Sequence, residues 1–248
     1  MYDWPEIRED TDRFWQALAR QLGVSGLLWR GDDYSVPWRN PTLLFSQTCG
    51  YPLTHALQGQ VKLVATPHYA AEGCEGPNYC SFLFARGQKP LADFRGGVAA
   101  INGTDSMSGM LALKLAFVPF AEQGQFFSKA IETGSHVASL QSVQSSAADV
   151  CAIDCVGVAL AKRYRPSLLA GLCEIGRTPP VPALPFITRA ENVTPIRDAV
   201  KRVFADEKLK ETRARLLLSG YSFLTGHDYE VIPKLETAME VRGGLHLT

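Results

Sequence analysis

Gly97-Val98-Ala99-Ala100-Ile101-Asn102-Gly103-Thr104-Asp105-Ser106-Met107-Ser108-Gly109 is the stretch on which the fold turns. A run of small and β-branched residues (97–101) stops at an Asn-Gly pair, and a hydroxyl-rich segment then leads into the apolar pattern of 106–117. That order reads as strand, turn and helix. Working outward, 127–132 reads as a strand, 136–144 as a helix, 149–153 as a strand and 155–170 as a further helix. Strands alternating with helices of this length predict a parallel sheet covered on both faces.

Upstream, Asp3, Pro5 and Glu6 read as N-cap, first-turn proline and capping-box acid of a helix carrying Ile7, Phe14, Leu18 and Leu22 on one face and ending at Gly23. Arg8, Glu9, Asp10 and Asp12 read as its solvated face. Three short strands are expected at 43–45, at 61–65 (ended by Pro67) and at 81–85. Downstream of a proline-rich return (178–185) the chain reads as helical: one helix from Thr194-Pro195, one from Asp206 to Gly220 and a terminal one over 230–241. The order suggests two units with the middle one inserted.

The 248 residues carry 25 basic and 25 acidic side chains, for a formal net charge of zero. Neither the total nor any local run supplies the basic face that a duplex-binding domain shows, so nucleic acid is not an expected partner. No stretch approaches the roughly 20 apolar residues that cross a bilayer. The opening MYDWPEIRED lacks the basic and apolar regions of a signal peptide, so the chain is expected to be cytoplasmic if Met1 is its start and periplasmic if a leader lies upstream. The six cysteines show no C-x2-C pairing of the zinc-site kind, and neither a metal nor a cofactor is expected. Cys151 and Cys155 read as packing residues, whereas Cys49 and Cys74 sit in glycine-bearing turns where a bridge is conceivable in an oxidising compartment.

Ligands of open α/β sheets bind beyond the carboxyl ends of the strands. The polar residues expected there are Ser46, Gln47 and Thr48; Asn102 to Ser108; Thr133 to His136; and Asp154. The run Thr104 to Gly109 places backbone N–H groups and two serines at a helix start, which suits a phosphate-like anion or forms a plain cap cluster. There is no G-x-x-x-x-G-K-[ST], which disfavours P-loop chemistry. Ser106 or Ser108 with His136 and Asp154 has the residue types of a nucleophilic triad, but not the G-x-S-x-G elbow or its Ser-Asp-His order.

Six segments taken together carry a resemblance: Tyr2-Asp3 with Pro5-Glu6; Ser46-Gln47-Thr48-Cys49-Gly50-Tyr51-Pro52; Gly73-Cys74-Glu75-Gly76-Pro77; Asn102 to Gly109; Gly134-Ser135-His136 with Ala147-Ala148-Asp149 and Ile153-Asp154; and Pro182 to Thr188. In that order they resemble the phosphate/phosphite/phosphonate ABC-transporter substrate-binding family. The resemblance implies a type II periplasmic-binding fold: two mostly parallel α/β lobes, 1–80 with 187–248 and 81–186, joined by two crossing strands near 80–86 and 184–189 that act as a hinge. It also implies a leader and a first strand ahead of Tyr2, so lobe one is expected without that strand. A monomer is implied that captures a small oxyanion-bearing solute without chemistry and delivers it to an ABC permease. Tyr2, Gln47, Thr48, Thr104, Ser106, Ser108, His136 and Asp154 are the implied ligand contacts, with Asp154 facing the ligand's other end. Two alternatives remain open at this stage: a cytoplasmic sensor or interaction protein that keeps the fold, and a hydrolase using His136 and Asp154.

Overall fold

The computed structural model describes residues 2–31 and 33–247. In chain order, a 3-10 turn (Pro5–Ile7) runs into α1 (Arg8–Leu22), followed by α2 (Val36–Arg39), β1 (Ser46–Gln47), α3 (Gly50–Thr54) and β2 (Lys62–Tyr69). After the short β3 (Asn78–Tyr79) come β4 (Ser81–Ala85), β5 (Val98–Ile101), a π turn (Met107–Leu111) continuing as α4 (Ala112–Phe117), β6 (Lys129–Glu132), α5 (His136–Gln144), β7 (Val150–Asp154), α6 (Cys155–Tyr164) and β8 (Cys173–Arg177). The chain continues through β9 (Val181–Pro182) to β10 (Phe186–Thr188), α7 (Thr194–Ala205), α8 (Lys210–Arg215), β11 (Leu218–Ser222), α9 (Gly226–Tyr229) and α10 (Val231–Val241).

Two compact units result. The first comprises Met1–Ala70, Glu75–Pro77 and Pro182–Asp228; the second comprises Ala71–Cys74, Asn78–Val181 and Tyr229–Thr248. The terminal segment thus packs with the second unit rather than the first. Helix α10 lies against α4, Lys114 pairs with Glu240 at 3.5 Å, and Met239 and Leu245 are buried.

The first unit holds a four-stranded sheet in the order β1-β10-β2-β11, with every described pairing antiparallel. The parallel sheet expected for this part of the chain is not what these pairings form. Strand β2 also runs through Pro67 instead of ending there. Beyond Ala65, where β10 stops, β11 is its one paired neighbour, so a missing backbone donor is tolerated. The expected strand at 43–45 is displaced to Ser46–Gln47.

Helix α1 packs on α7 and α8, with Phe14 against Phe186 and Phe204 at centroid distances of 6.3 and 5.8 Å. Gly23 ends it in the left-handed conformation, as its lack of a Cβ permits. Two expectations for this helix fail. Trp4, not Asp3, occupies the N-cap position, and the Asp3 carboxylate instead pairs with Arg30 at 2.5 Å. Asp10 is buried, not solvated, because Arg215 of α8 reaches it at 2.6 Å. The expected helix from Asp206 to Gly220 stops at Arg215; Leu217 turns left-handed (φ 58°) and Gly220 lies in β11.

The second unit is a five-stranded sheet, β6-β5-β7-β4-β8. Here β5 runs parallel to β6 and β7, while β4 lies antiparallel between β7 and β8. Every residue of β4 and β7 is buried, which is why both read as continuous apolar runs. Phe94, Phe117, Phe126 and Phe127 form an aromatic cluster beneath α4. Burial of each such side chain contributes about 1.5–3 kcal/mol. Helix α6 is shorter than expected: Pro166 breaks it, and β8, not anticipated from the sequence, follows.

Candidate functional site

Because β6, β5 and β7 are parallel, their carboxyl ends lie at one edge of the second unit's sheet. Three turns meet there: 102–109 after β5, 133–136 after β6, and Asp154 closing β7. The sheet thereby brings together Ser106, Ser108, His136 and Asp154.

The helix start after β5 is a π turn in which Leu111 N–H donates to Ser106 O (3.0 Å), widening the first turn. Ser106 caps it, its Oγ accepting from Gly109 N–H at 3.0 Å. Gly109 cannot be replaced freely, since a Cβ there would stand 1.8 Å from Asn102 Oδ1. That Asn102 oxygen is itself buried with no hydrogen-bond partner. Ser135 caps α5 by accepting from Ala138 N–H, and Asp154 caps α6, its Oδ1 accepting from Gly157 N–H at 2.8 Å.

His136 joins these turns. Its Nε2 lies 2.9 Å from Ser108 Oγ and 3.4 Å from Asp154 Oδ2. Burial holds the imidazole below its ordinary pKa, opposed by the Asp154 carboxylate and the Ala152 backbone, so the ring is neutral at pH 7. A neutral ring has one N–H, and an ionised carboxylate can only accept. We place the proton on Nε2, the nitrogen that faces Asp154, which leaves Nδ1, buried without a partner, as the lone-pair nitrogen. Ser108 Oγ then accepts from Nε2–H, as Ser106 Oγ accepts from Gly109, and both serines keep their own O–H hydrogens unspent. Both are nearly buried. Two desolvated hydroxyl donors at a helix start are what an oxyanion requires.

The same geometry differs from a hydrolytic triad, in which the acid binds the ring nitrogen opposite the one facing the serine. Here serine and carboxylate share Nε2.

Thr104 belongs to the same turn and is exposed. The remaining expected contacts lie in the first unit. Gln47 Nε2 donates to Tyr69 OH (2.9 Å) and to Leu184 O (3.0 Å), and Tyr2 packs edge-on against Tyr69. Thr48 is fully buried; its hydroxyl donates to Cys49 O and its N–H to Pro185 O.

Neither Cys49 nor Cys74 is in a disulfide, which corrects the bridge thought conceivable between them. Cys74 faces Cys155 instead, with the sulfurs 3.3 Å apart. Among the described residues no group of three or more His, Cys, Asp or Glu is placed to hold a metal ion, and no helix is long and apolar enough to cross a membrane.

Solved structures of similar fold include PhnD1 of Prochlorococcus marinus in complex with methylphosphonate, at 14% identity and TM-score 0.77 over 95% of this chain and 94% of that one. A binding-protein component of an ABC phosphonate transporter from Pseudomonas aeruginosa matches at 15% identity and TM-score 0.74, over 94% and 83% of the two chains. A Xanthomonas citri protein bound to ATP matches at 17% identity and TM-score 0.69, over 96% and 94%. At these identities the likeness establishes the fold, that of the periplasmic binding proteins. No curated protein sequence matches. The sequence over residues 42–226, more than half of the chain, matches the family described as ABC transporter, phosphonate, periplasmic substrate-binding protein. By that match the chain belongs to the phosphonate-binding family of ABC-transporter substrate-binding proteins.

Proposed function

We propose that this protein is a solute receptor that binds a small phosphonate, phosphite or phosphate, passes it to an ABC permease and performs no chemistry on it. The observation that carries this reading is the placement of Ser106 and Ser108 Oγ at the α4 start, the first accepting from Gly109 N–H and the second 2.9 Å from His136 Nε2, which also faces Asp154. Ser106 and Ser108 donate to the oxyanion, and Thr104 adds a third hydroxyl from the same turn. His136 acts through Ser108 by fixing which way that hydroxyl donates. Asp154, a carboxylate beside an anion site, selects for a ligand whose other end carries an amine or another donor.

Family likeness supports roles for Tyr2, Gln47 and Thr48 as well. Gln47 and Thr48 already use their donors inside the first unit, so we assign them to positioning and Tyr2 to aromatic contact. The shared use of Nε2 by Ser108 and Asp154 argues against hydrolysis. The family's periplasmic setting supports the same compartment for this chain.

Calorimetric titration with methylphosphonate, 2-aminoethylphosphonate, phosphite and phosphate tests the reading. At least one micromolar binder is expected, with the amine-bearing ligand ahead of methylphosphonate. Silence across that panel removes the ligand assignment and leaves the fold standing.

A further inference from the structure

Three thiols of the second unit converge. Cys74 Sγ lies 3.3 Å from Cys155 Sγ, and Cys155 N–H donates to Cys80 O at 3.0 Å, so Cys80 faces Cys155 across the strand ends. Cys155 is the first residue of α6, next to the capping Asp154, and is buried; Cys74 is half-buried on the 71–74 turn. The approach is built, not incidental. Gly73 holds φ +90°, and a Cβ there would meet Cys80 Sγ at 2.8 Å and the Cys155 Cβ at 3.0 Å. Only glycine lets this turn pack so closely, and that packing delivers Cys74 onto Cys155.

We propose that Cys74 and Cys155 are a modification site that closes to a disulfide by exchange with a small-molecule disulfide. The sulfurs must move a little over an ångström to reach a bond length of about 2.03–2.05 Å. In the first step the Cys74 thiolate attacks one sulfur of the small disulfide; that S–S bond breaks, one small thiol leaves, and Cys74 carries a mixed disulfide. In the second step Cys155, deprotonated, attacks the Cys74 sulfur and expels the other small thiol. Two protein thiols are oxidised and one small disulfide is reduced to two thiols, so atoms and electrons balance. The order follows from access and acidity. Cys155 is buried and its thiol is pushed up to about 12, chiefly by its hydrogen bond to Cys74, so the more exposed Cys74 meets the oxidant first. The new bond ties the 71–74 turn to the helix start that Asp154 caps.

The test uses the full chain, reduced and then exposed to oxidised glutathione under native conditions, followed by alkylation in denaturant without reductant and peptide mapping. Loss of two of the six thiols is expected, with a cross-linked peptide joining Cys74 to Cys155 that dithiothreitol reverses. Cys74→Ser should retain all its remaining thiols, Cys155→Ala should stop at the mixed disulfide with one glutathione on Cys74, and Cys49→Ser should still lose two. In the unsubstituted chain, retention of six thiols, a persistent glutathione adduct, or a bridge joining any other pair, Cys80 to Cys155 included, overturns the proposal.

Discussion

The polar groups at the strand ends of the two units are used in opposite ways. In the first unit the Gln47 amide donates to Tyr69 and Leu184, and the Thr48 hydroxyl and N–H donate to main-chain carbonyls. In the second, Ser106 Oγ accepts from Gly109 N–H, Ser108 Oγ lies against His136 Nε2 and accepts from it in the tautomer assigned above, and Asn102 Oδ1 and His136 Nδ1 are buried with no partner. Buried polar groups are ordinarily satisfied, so a site where several are not is a site arranged for something other than stability. The first cluster holds a scaffold together; the second has donors to give.

The largest effect that separates the two should come from their glycines. Gly109→Ala drives a Cβ into Asn102 and should cost about 2–3 kcal/mol of stability in urea unfolding. In the first unit, Gly226→Ala meets nothing within 4 Å and should leave the midpoint unchanged. Next comes affinity. Ser108→Ala removes one donor to a charged ligand and should weaken binding roughly 10- to 100-fold by calorimetry, with little change in stability. Equal loss from Tyr69→Phe would break the comparison. That variant removes the acceptor for Gln47 and should cost about 1 kcal/mol of stability while affinity shifts by less than about threefold.

The smallest effect is in pH. His136 is held below its ordinary pKa by burial, so below about pH 6.5 the unfolded chain binds more protons than the folded one. Stability should therefore be full above that value and fall as the pH drops through the folded pKa. His68, half-buried in the first unit beside Ser222, shifts in the same direction. Each unit thus contributes to acid sensitivity, and His136→Gln should flatten part of the melting temperature's pH dependence and His68→Gln a further part.

How legible this was in the sequence differed along the same line. The alternation of β5, β6 and β7 with helices stood out because period and turn chemistry are local, and it carried Ser106, Ser108, His136 and Asp154 to one edge. Strand β8 and the strand 218–222 were hidden: Cys173 to Arg177 is half-buried with no clean alternation, and Leu216-Leu217-Leu218 reads as a helix end until Leu217 turns left-handed. Asp10 looked like surface because its partner Arg215 lies far along the chain. The thiol cluster was equally invisible, since Cys74, Cys80 and Cys155 meet only once the sheet has formed. Spacing located the hydroxyls at the site; only the structure showed which groups they face.

The proton on His136 decides the central claim. Imidazole nitrogen-15 NMR on the free protein at pH 7, with the ring assigned through His136→Gln, should find a neutral ring protonated at Nε2 and bare at Nδ1. A proton on Nδ1 would make Nε2 the acceptor, bind the Ser108 hydrogen inside the protein, and contradict the account.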